Sequence, residues 1–579
     1  MRTINWLVRI YRRYVVRLPF DHELQTSNYN EIKKNNDLSL LLLPLVEDGP
    51  RFSIITPVYK PNIQHFKDML SSVFNQSYKH WSLILVDDHS ECSELEKVLS
   101  KAELDYRVTV IRRSHNGHIS AASNDGLFVA DGNFIVLLDH DDLLQKDALK
   151  AVALTIHHNP KVNILYSDED KINEQGYFEQ AHYKPSFNQD LLFSHNYICH
   201  LGIYRRTLIE KIGGFRLGVE GCQDYDLILR ATKECNAEGI IHIPYVLYHW
   251  RIAKGSTALA ESEKDYTNSA GLKVLEDYFA DDTYISVELG LLSNTFKVNW
   301  PIPEEVPLVS IIIPTRNSVE LVKKCIDSIY KHTSYSAFEV ILVDNQSDEP
   351  FAINYFKELA GANKIRLINF DEAFNYSAIN NYAVKQAKGD IVILMNNDIE
   401  ILTDIWLTEM VSQLCRFDIG CVGAKLYFPN STIQHAGVIT GIGGVAGHSH
   451  KYFPKGHSGY FKRLKIVQNV SAVTGACLGV RKSIFEQVGG LNEIDLAIAF
   501  NDVDFCLKVQ KAGYRNIWSP YIEMIHHESI SRGAEDTPEK IARFNQEVTY
   551  MQNTWGEQLM HDPFYNPWLT LEREDYGLK

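Results

Sequence analysis

Residues 53–60 read SIITPVYK, and residues 310–317 read SIIIPTRN, 257 positions further along the chain. Two more pairs of motifs keep the same distance: LVDDHS (85–90) with LVDNQS (342–347), and LLDHDD (137–142) with LMNNDI (394–399). A long pattern that recurs at one period is the sequence signature of duplicated structural units. The chain is therefore predicted to contain two similar domains, each with apolar runs that end in acidic or amide residues.

Strand-like and helix-like patterns alternate within the first repeat. The pattern predicts strands at 52–56, 81–86, 108–111 and 134–138, and helices at 63–74 and 120–129. Such alternation is typical of a mostly parallel, doubly wound (Rossmann-like) α/β sheet. In these sheets ligands bind beyond the carboxyl ends of the strands, where the acidic motifs of this chain lie.

Changes in composition divide the chain into five segments. We predict an N-terminal extension (1–50), a first α/β domain (51–256), a helical and extended linker that ends in three prolines (257–307), a second α/β domain (308–533) and a C-terminal tail that begins as a helix (534–579). The second repeat is longer, because Asp224 and Asp226 match Asp502 and Asp504 at a distance of 278 rather than 257 residues. We expect the 21 additional residues in the Gly- and His-rich stretch 430–460.

Composition limits the classes of function. The net charge of −15 over 579 residues argues against bulk nucleic-acid binding. Nine cysteines without a CxxC pair are typical of reduced thiols in a cytoplasmic protein. The apolar run at 38–46 is nine residues long, whereas a membrane-spanning helix needs about 20.

The first 20 residues are basic and amphipathic, with five arginines before the first acidic residue, Asp21. One interpretation is a helix in peripheral contact with the inner, anionic face of the cytoplasmic membrane. The alternative is a helix that packs on the protein's own surface and leaves its arginines in water.

The motif after the fourth strand has the residues of a cation or sugar site. Asp139 and Asp141 both leave one strand end, and hard carboxylate oxygens suit Mg²⁺ or Mn²⁺. The second repeat has Asn396 and Asp398 at these positions, so Asp141 and Asp398 are the expected metal ligands. Taken alone, such a motif is also typical of a loop with helix-capping acids. The motif recurs after an apolar strand in the second repeat, which favours a cation or sugar site over a capped loop.

Two other polar clusters leave alternatives open. The acidic run Asp168, Glu169 and Asp170 is either a solvated turn or a contact with sugar. The histidines of the inserted stretch fit no zinc-site spacing and come without cysteine, so we assign them to an acceptor-side loop: His435, His448, His450 and His457.

The complete set of motifs is specific to one family. In the first repeat it comprises ITPVYK, LVDDHS, NGHISAASN (116–124), LLDHDD, YSDEDKI (166–172), GGF (213–215), QDYDLILR (223–230) and YHWR (248–251). In the second it comprises IIPTRN, LVDNQS, FNYSAINN (374–381), MNNDIE, TGACLGVRK (474–482), GG (489–490), FNDVDFCLK (500–508) and HHES (526–529). With these motifs the chain resembles a tandem pair of family 2 glycosyltransferase domains of the GT-A fold, and it is similar to bacterial O-antigen and polysaccharide biosynthesis glycosyltransferases.

The resemblance implies roles for particular residues. The nucleotide-sugar would be bound by Pro57, Tyr59, Asp88, Asn124 and Asp139 in the first domain, and by Pro314, Asn345, Asn381 and Asn396 in the second. It implies that a histidine joins each metal ligand: His249 with Asp141, and His527 with Asp398, with His526 as an alternative. Asp224 and Asp502 match the position of the catalytic base. Both also suit the N-terminus of a helix, where acids are favoured without any catalytic role.

With these residues, the resemblance implies an inverting, Mg²⁺- or Mn²⁺-dependent enzyme with one active site per domain. It would transfer sugars from nucleotide-diphospho-sugars to a lipid-linked oligosaccharide or a growing bacterial surface polysaccharide. One alternative keeps a single catalytic domain and makes the other an acceptor-binding module; another is a non-catalytic carbohydrate-binding scaffold. A nucleotidyltransferase would need a Gly-rich basic loop after the first strand, and neither repeat has one.

Overall fold

Each repeat forms a mixed α/β sheet in the computed structural model, which describes residues 22–252, 261–527 and 537–579. The predicted basic helix at 1–20 lies outside these residues. Within them, the N-terminal unit comprises His22–Lys297, Tyr565–Leu569 and Leu578–Lys579, and the C-terminal unit comprises Val298–Phe564 and Thr570–Gly577. The unit boundary at Lys297 falls inside the stretch that the sequence predicts as a linker.

The N-terminal unit is built on one sheet with the strand order β3-β2-β1-β4-β8-β6-β9-β5, and β7 pairs with β6. Its strands are β1 (Phe52–Val58), β2 (Trp81–Asp87), β3 (Val108–Arg112), β4 (Phe134–Leu137), β5 (Leu143–Leu144), β6 (Ile164–Ile172), β7 (Phe178–His182), β8 (Gly202–Arg205) and β9 (Ile240–Arg251). Strands β3, β2, β1 and β4 are parallel, and β8 is antiparallel to both of its neighbours.

Helices cover the faces of this sheet. They are α1 (His22–Leu42), α2 (Ile63–Phe74), α3 (Ser93–Ala102), α4 (His118–Val129), α5 (Ala148–His158), α6 (Gln189–Ser194), α7 (Arg206–Lys211), α8 (Gln223–Lys233) and a 3-10 turn (Ala237–Gly239). Helix α9 (Glu261–Tyr278) and the two-stranded ribbon of β10 (Ser286–Leu289) and β11 (Phe296–Asn299) follow in the predicted linker. Residues Phe66, Met69 and Val73 of α2 pack on the apolar side chains of β1 and β2.

The C-terminal unit repeats the sheet. Its strands are β12 (Val309–Thr315), β13 (Phe338–Asp344), β14 (Arg366–Asn369), β15 (Ile391–Met395), β16 (Ile399–Ile401), β17 (Ile419–Tyr427), β18 (Ile433–His435), β19 (Val438–Thr440), β20 (Ala446–His448), β21 (Gln468–Val470), β22 (Cys477–Arg481) and β23 (Arg515–His526). Its helices are α10 (Val319–Lys331), α11 (Pro350–Gly361), α12 (Tyr376–Gln386), α13 (Trp406–Leu414), α14 (Lys482–Gln487), α15 (Asn501–Lys511), α16 (Pro538–Met560) and two 3-10 turns (Ile442–Gly444, Tyr460–Lys462).

The two sheets have the same strand order. The second sheet has the order β14-β13-β12-β15-β22-β17-β23-β16, and each of its strands has a counterpart at the same place in the first sheet. Phe134 of β4 pairs with Arg205, and Ile391 of β15 pairs with Arg481, so the distance between the repeats rises from 257 to 276 residues. Nineteen of the 21 additional residues therefore lie between β17 and β22, in and around the Gly- and His-rich stretch. There the C-terminal unit has β19, β20 and β21 in addition to β18, which is the counterpart of β7. The predicted tandem α/β fold with parallel strands at its core is confirmed.

A buried hydrogen bond fixes β1 against β4, and its counterpart fixes β12 against β15. The amide of Gly132 donates to the Ser53 hydroxyl at 2.9 Å, and the amide of Gly389 donates to the Ser310 hydroxyl at 2.9 Å. The backbones approach so closely that a Cβ on Gly132 would lie 2.6 Å from the Ser53 nitrogen. Only glycine fits there, because real Cβ atoms do not approach backbone atoms to that distance.

None of the helices in the described part of the chain is long and apolar enough to cross a bilayer.

We predict that Gly132→Ala destabilises the first domain by about 1–3 kcal/mol, as expected when an atom is forced into a packed interior. Thermal unfolding followed by circular dichroism measures the effect. Gly361→Ala in α11 is the control, because its Cβ would have no neighbour within 4 Å. An unchanged melting temperature for Gly132→Ala would show that the close approach does not constrain the fold.

Candidate active site

The first domain gathers acidic side chains just beyond β4. Asp139 is partly exposed, and Asp142 is buried. The Tyr248 hydroxyl of β9 links them, since it accepts a hydrogen bond from the Asp139 amide at 3.3 Å and donates one to the Asp142 carboxylate at 2.6 Å. The Arg251 amide donates to the other Asp142 oxygen at 2.7 Å. Burial, together with the charges of Asp139 and Asp141, raises the pKa of Asp142 well above its usual range.

His200 completes this group from the loop before β8. Its ring stacks on Tyr248 at 4.5 Å, and its Nε2 lies 3.9 Å from a carboxylate oxygen of Asp139. One ligand atom from each of Asp139, Asp142 and His200 lies within 4.8 Å of the others. In the described parts of the chain no other trio of acidic, histidine or cysteine side chains meets this condition. Although burial opposes protonation, the surrounding carboxylates, with Asp139 foremost, raise the pKa of His200.

The two predicted metal ligands of the first domain, Asp141 and His249, are not members of this trio. His249 alternates with Tyr248 along β9 and points to the opposite side, where its Nδ1 is 2.5 Å from the Asp170 carboxylate. The Asp141 carboxylate is not a member of the group, and its backbone oxygen accepts a hydrogen bond from the Arg251 guanidinium at 2.9 Å. The structure thus brings His200, rather than His249, to the carboxylates.

Asp224, the predicted base, stands in the first turn of α8 and faces the same group. Its carboxylate accepts a hydrogen bond from the Asn196 amide at 2.7 Å. Burial raises its pKa, while the nearby His200 charge lowers it and the Asp139 charge raises it further. The predicted base and the predicted nucleotide-sugar ligand Asp139 are therefore brought together.

The second domain builds a related but different group. His526 Nε2 lies 3.0 Å from the Asp398 carboxylate and 3.2 Å from the Asn396 amide. His527, the predicted ligand, pairs instead with Glu400 at 2.8 Å. Successive residues of a strand point to opposite sides, so only one of the two histidines can face Asp398, and it is His526.

Strand pairing explains why the histidines differ between the domains. Asp170 pairs with His249, whereas the matching Tyr427 pairs with Ile525. His526 therefore occupies the position of Trp250, which contacts the His200 ring at 5.8 Å. The first domain obtains its histidine from the loop before β8, and the second obtains it from β23.

Asn396 and Asp502 line one pocket of about 430 Å³ in the second domain. Its wall also contains Thr474, Gly475 and His448. The Gly475 amide donates to Asp502 at 2.8 Å. Burial raises the pKa of Asp502, and this backbone hydrogen bond partly offsets that effect.

The tail helix α16 supports this pocket. Glu547 accepts hydrogen bonds from the amides of Ile498 and Ala499, at 2.9 and 3.2 Å, and both of these residues line the pocket. Phe544 of the same helix is part of the wall. The sequence predicted this helix but not its place beside Asp502.

Asn124 and Asn381 brace loops in this structure. Asn124 exchanges two hydrogen bonds of 2.8 Å with the backbone of Phe215, and Asn381 exchanges two of 2.9 Å with the backbone of Leu491. Each loop carries a Gly-Gly pair, and a Cβ on the second glycine, Gly214 in the first domain, would lie 2.6 Å from the amide oxygen. Both ends of the two amides are thus engaged by the protein.

Asp88 and Asn345 also hold loops in place through hydrogen bonds. Asp88 forms an ion pair with Arg113 and accepts a hydrogen bond from the Gly117 amide at 2.9 Å. Asn345 donates to the carbonyl oxygens of Phe370 and Glu372 at 3.0 and 2.8 Å. Each residue fixes the loop that follows the third strand of its sheet.

The remaining predicted ligands lie at the ends of the first strands. Pro57 precedes the last residue of β1, and its carbonyl oxygen is 3.2 Å from the His140 ring. Pro314 has the matching place in β12. Tyr59 follows β1 directly and is 44% exposed, so its ring is accessible to a ligand.

The acidic run of the first domain is buried rather than a solvated turn. Each acid of the run has a basic partner: Asp168 with His242, Glu169 with Lys184, and Asp170 with His249. The run therefore belongs to the interior that supports the acidic site.

Two histidines of the inserted stretch contact each other beside the pocket of the second domain. The rings of His435 and His448 meet Nδ1 to Nδ1 at 2.8 Å. Burial lowers the pKa of His448 to about 3 and holds the pKa of His435 well below its usual range. Both histidines are therefore neutral at pH 7.

Sequence reasoning missed His200 and Asn196, because neither stands in a quoted motif. Thr474 opens the motif TGACLGVRK, but no role was predicted for it. His200 lies three residues after Tyr197 in the stretch before β8, and only the sheet order brings that stretch next to β4. No pattern in the sequence therefore marked His200 as a residue of the site.

Comparison with known proteins agrees with the duplicated architecture. The family described as Glycosyl transferase family 2 matches residues 53–213 and 310–489. An uncharacterized protein of Sinorhizobium fredii is 48% identical over 93% of this chain and 59% of its own length, and an O-antigen biosynthesis protein of Myxococcus xanthus is 35% identical over 92% of this chain and 41% of its own length. The chain thus spans about half the length of these curated relatives. A solved mannosyltransferase of Pyrobaculum calidifontis aligns at 19% identity with a TM-score of 0.34, over 46% of this chain and 70% of that chain.

We predict that Asn124→Leu loosens the loop after α7. The substitution leaves the Phe215 N–H and C=O without partners, which costs about 1–3 kcal/mol. Hydrogen exchange of peptides that cover residues 212–218 should accelerate. Asn159→Leu is the control, since the Asn159 side chain makes an exposed bond to the Thr155 carbonyl within its own helix end. Unchanged exchange in Asn124→Leu would contradict the bracing role.

Proposed function

Because the chain belongs to glycosyl transferase family 2, with two tandem GT-A domains, we propose that it transfers sugars from nucleotide-diphospho-sugars to a growing bacterial surface polysaccharide, with one active site in each domain. One observation carries this proposal: Asp502 and Asn396 line a single pocket of about 430 Å³. In the first domain the charge of Asp139 raises the pKa of Asp224, the residue that matches Asp502.

The first domain has a donor set that fits a divalent cation. Asp139, Asp142 and His200 would hold it, and two carboxylates with one imidazole suit Mn²⁺ better than Mg²⁺. When bound, such a cation supplies Lewis-acid stabilisation of the negative charge on the leaving nucleoside diphosphate. In the second domain Asp398 and His526 would have this role, with Asn396 beside them.

Asp224 and Asp502 are proposed as the catalytic bases. Each would accept the proton of the acceptor hydroxyl as that oxygen attacks the anomeric carbon of the donor sugar. Attack from the side opposite the diphosphate inverts the anomeric configuration. Desolvation of both carboxylates makes them stronger bases than free aspartate, which suits proton abstraction from an alcohol.

The acceptor is proposed to be lipid-linked, with the enzyme at the inner face of the cytoplasmic membrane. The basic residues at 1–20 would contact anionic lipid. Helix α1 exposes three leucines at helical spacing, each more than half exposed: Leu38, Leu41 and Leu42. Leu45, which follows the helix, is exposed as well. An exposed apolar stripe on a helix is one feature of helices that lie in a membrane interface.

A second candidate is an enzyme with one catalytic domain, the first. The second domain has Asn396 where the first has Asp139, and Ile399 where the first has Asp142, so its site keeps one carboxylate of the three. Its pocket would then hold the acceptor rather than turn over a donor.

We predict that Asp224→Asn and Asp502→Asn each abolish transfer of one sugar, with a rate loss of about 10²–10⁴-fold. The measurement is nucleotide release from a panel of nucleotide-sugars with Mn²⁺ or Mg²⁺ and extracted lipid-linked acceptor. Asp281→Asn, at a side chain that is 98% exposed, is the control. If Asp502→Asn changes nothing while Asp224→Asn abolishes all transfer, the second candidate replaces the first; if wild type turns over no donor, transferase activity is refuted.

We also predict the pH dependence of transfer by the second domain. The base must be ionised to act, and the raised pKa of Asp502 shifts its protonation to higher pH. The rate should therefore fall on the acid side with an apparent pKa above the usual range for aspartate. A profile of kcat/KM against pH measures this, and the residual rate of Asp502→Asn should lack the same acid limb. An acid limb that persists in the variant would assign it to another group.

A further inference from the structure

A five-residue segment and the last two residues of the C-terminal tail belong to the N-terminal unit. Tyr565–Leu569 group with that unit, although residues up to Phe564 and from Thr570 to Gly577 group with the C-terminal unit. Within the segment, Trp568 donates from its indole nitrogen to the Pro244 carbonyl at 2.7 Å, and its ring meets Tyr245 edge to face. These contacts attach the segment beside the start of β9.

Asn566 is the buried centre of the segment and is 2% exposed. Its amide nitrogen donates to both oxygens of Asp168, at 3.0 and 2.9 Å, and to the Lys184 carbonyl at 2.9 Å. Its amide oxygen accepts a hydrogen bond from the Trp568 amide at 2.9 Å. An asparagine with both ends of its amide engaged in this way is held in one orientation.

The residues that Asn566 contacts continue towards the first active site. The Lys184 amide donates to Asp168 at 2.8 Å, and the Lys184 ammonium lies 3.2 Å from Glu169. Asp168 and Lys184 are completely buried, so neither can replace a lost partner with water. Although burial opposes ionisation, the Lys184 charge and a hydrogen bond from His182 lower the pKa of Glu169 to about 2, so Glu169 stays charged.

The network ends on the backbone of His200. Glu169 accepts a hydrogen bond from the His200 amide at 3.0 Å, and the Lys184 ammonium donates to the His200 carbonyl and, at 2.6 Å, to the Ile198 carbonyl. Both backbone groups of the residue that completes the Asp139 and Asp142 site are therefore fixed by Lys184 and Glu169. The second domain has Lys425 in place of Asp168, and the Lys425 ammonium donates to the Leu464 carbonyl within its own domain.

Resting on the function proposed above, we propose that Asn566 is a positioning residue of the first active site. It orients Asp168 and Lys184, and through Lys184 and Glu169 it holds the loop that carries His200. The contribution is specific to the first domain. In the sequence, the whole second domain separates Asn566 from the first domain. Asn566 nevertheless supports the proposed cation and diphosphate site of the first domain.

The test compares the full-length chain with Asn566→Ala by two measurements. Hydrogen exchange of peptides that cover residues 196–201 reports directly on the His200 loop, and exchange there should accelerate about tenfold or more. Titration with Mn²⁺ alone reports on the site, and affinity should fall about 10–100-fold, as is typical when an outer partner of a ligand is removed.

Two further variants make the result specific. Trp568→Phe removes the indole bond to Pro244 but leaves Asn566 in place, so it should retain the exchange rate and the Mn²⁺ affinity of wild type. Asn566→Ser keeps a hydroxyl donor for Asp168 and should give intermediate values. If the alanine variant does not fold, the serine variant is measured in its place.

The outcomes separate this inference from the proposed function. Unchanged exchange at 196–201 in a folded Asn566→Ala protein overturns the positioning role, and donor turnover by wild type would leave the proposed function standing. Accelerated exchange together with no donor turnover by wild type supports the positioning role and refutes the proposed function. Equal losses in Asn566→Ala and Trp568→Phe would show a general effect of the tail on stability and would also overturn the inference.

Discussion

The register between β1 and β4 determines where the acidic residues of this protein emerge. Phe52 lies opposite Phe134, and the Gly132 amide is bonded to the Ser53 hydroxyl beside that pair. Because side chains alternate along a strand, a slip of one residue would turn every side chain of β4 to the other face and move Asp139 away from the sheet edge. The same register joins β12 to β15, which is why the second domain presents Asn396 and Asp398 in the same place.

The shared scaffold supports two different sites. The loop braces are duplicated, with Asn124 matched by Asn381, and the helix that carries the proposed base is duplicated as well. The groups that would face a diphosphate differ between the two domains. The first domain combines two carboxylates with a histidine from the loop before β8, and the second combines one carboxylate with His526 from β23. Two domains of the same fold can therefore bind different donors. The fold determines where the strands end, whereas the loops provide the side chains that contact a ligand.

The fold was accessible from the sequence because its strands are continuous apolar runs that recur at one spacing. The helix predicted at 63–74 agrees with Ile63–Phe74, and the strand predicted at 81–86 agrees with Trp81–Asp87. Side-chain partners were less accessible. Whether an asparagine such as Asn124 binds a ligand or braces a loop depends on a backbone 91 residues away. The choice between His249 and His200 depends on strand pairing far along the chain, which no local motif marks.

The position of Asn566 also has a consequence for biosynthesis. A chain emerging from the ribosome folds its N-terminal domain first, as a rule. Here the buried carboxylate of Asp168 meets its amide partner only after residue 566 has been translated, when the entire second domain has already been synthesised. The interior of the first domain therefore remains incomplete throughout translation of the second, and a product truncated between the two would leave the buried Asp168 and Lys184 without their Asn566 partner.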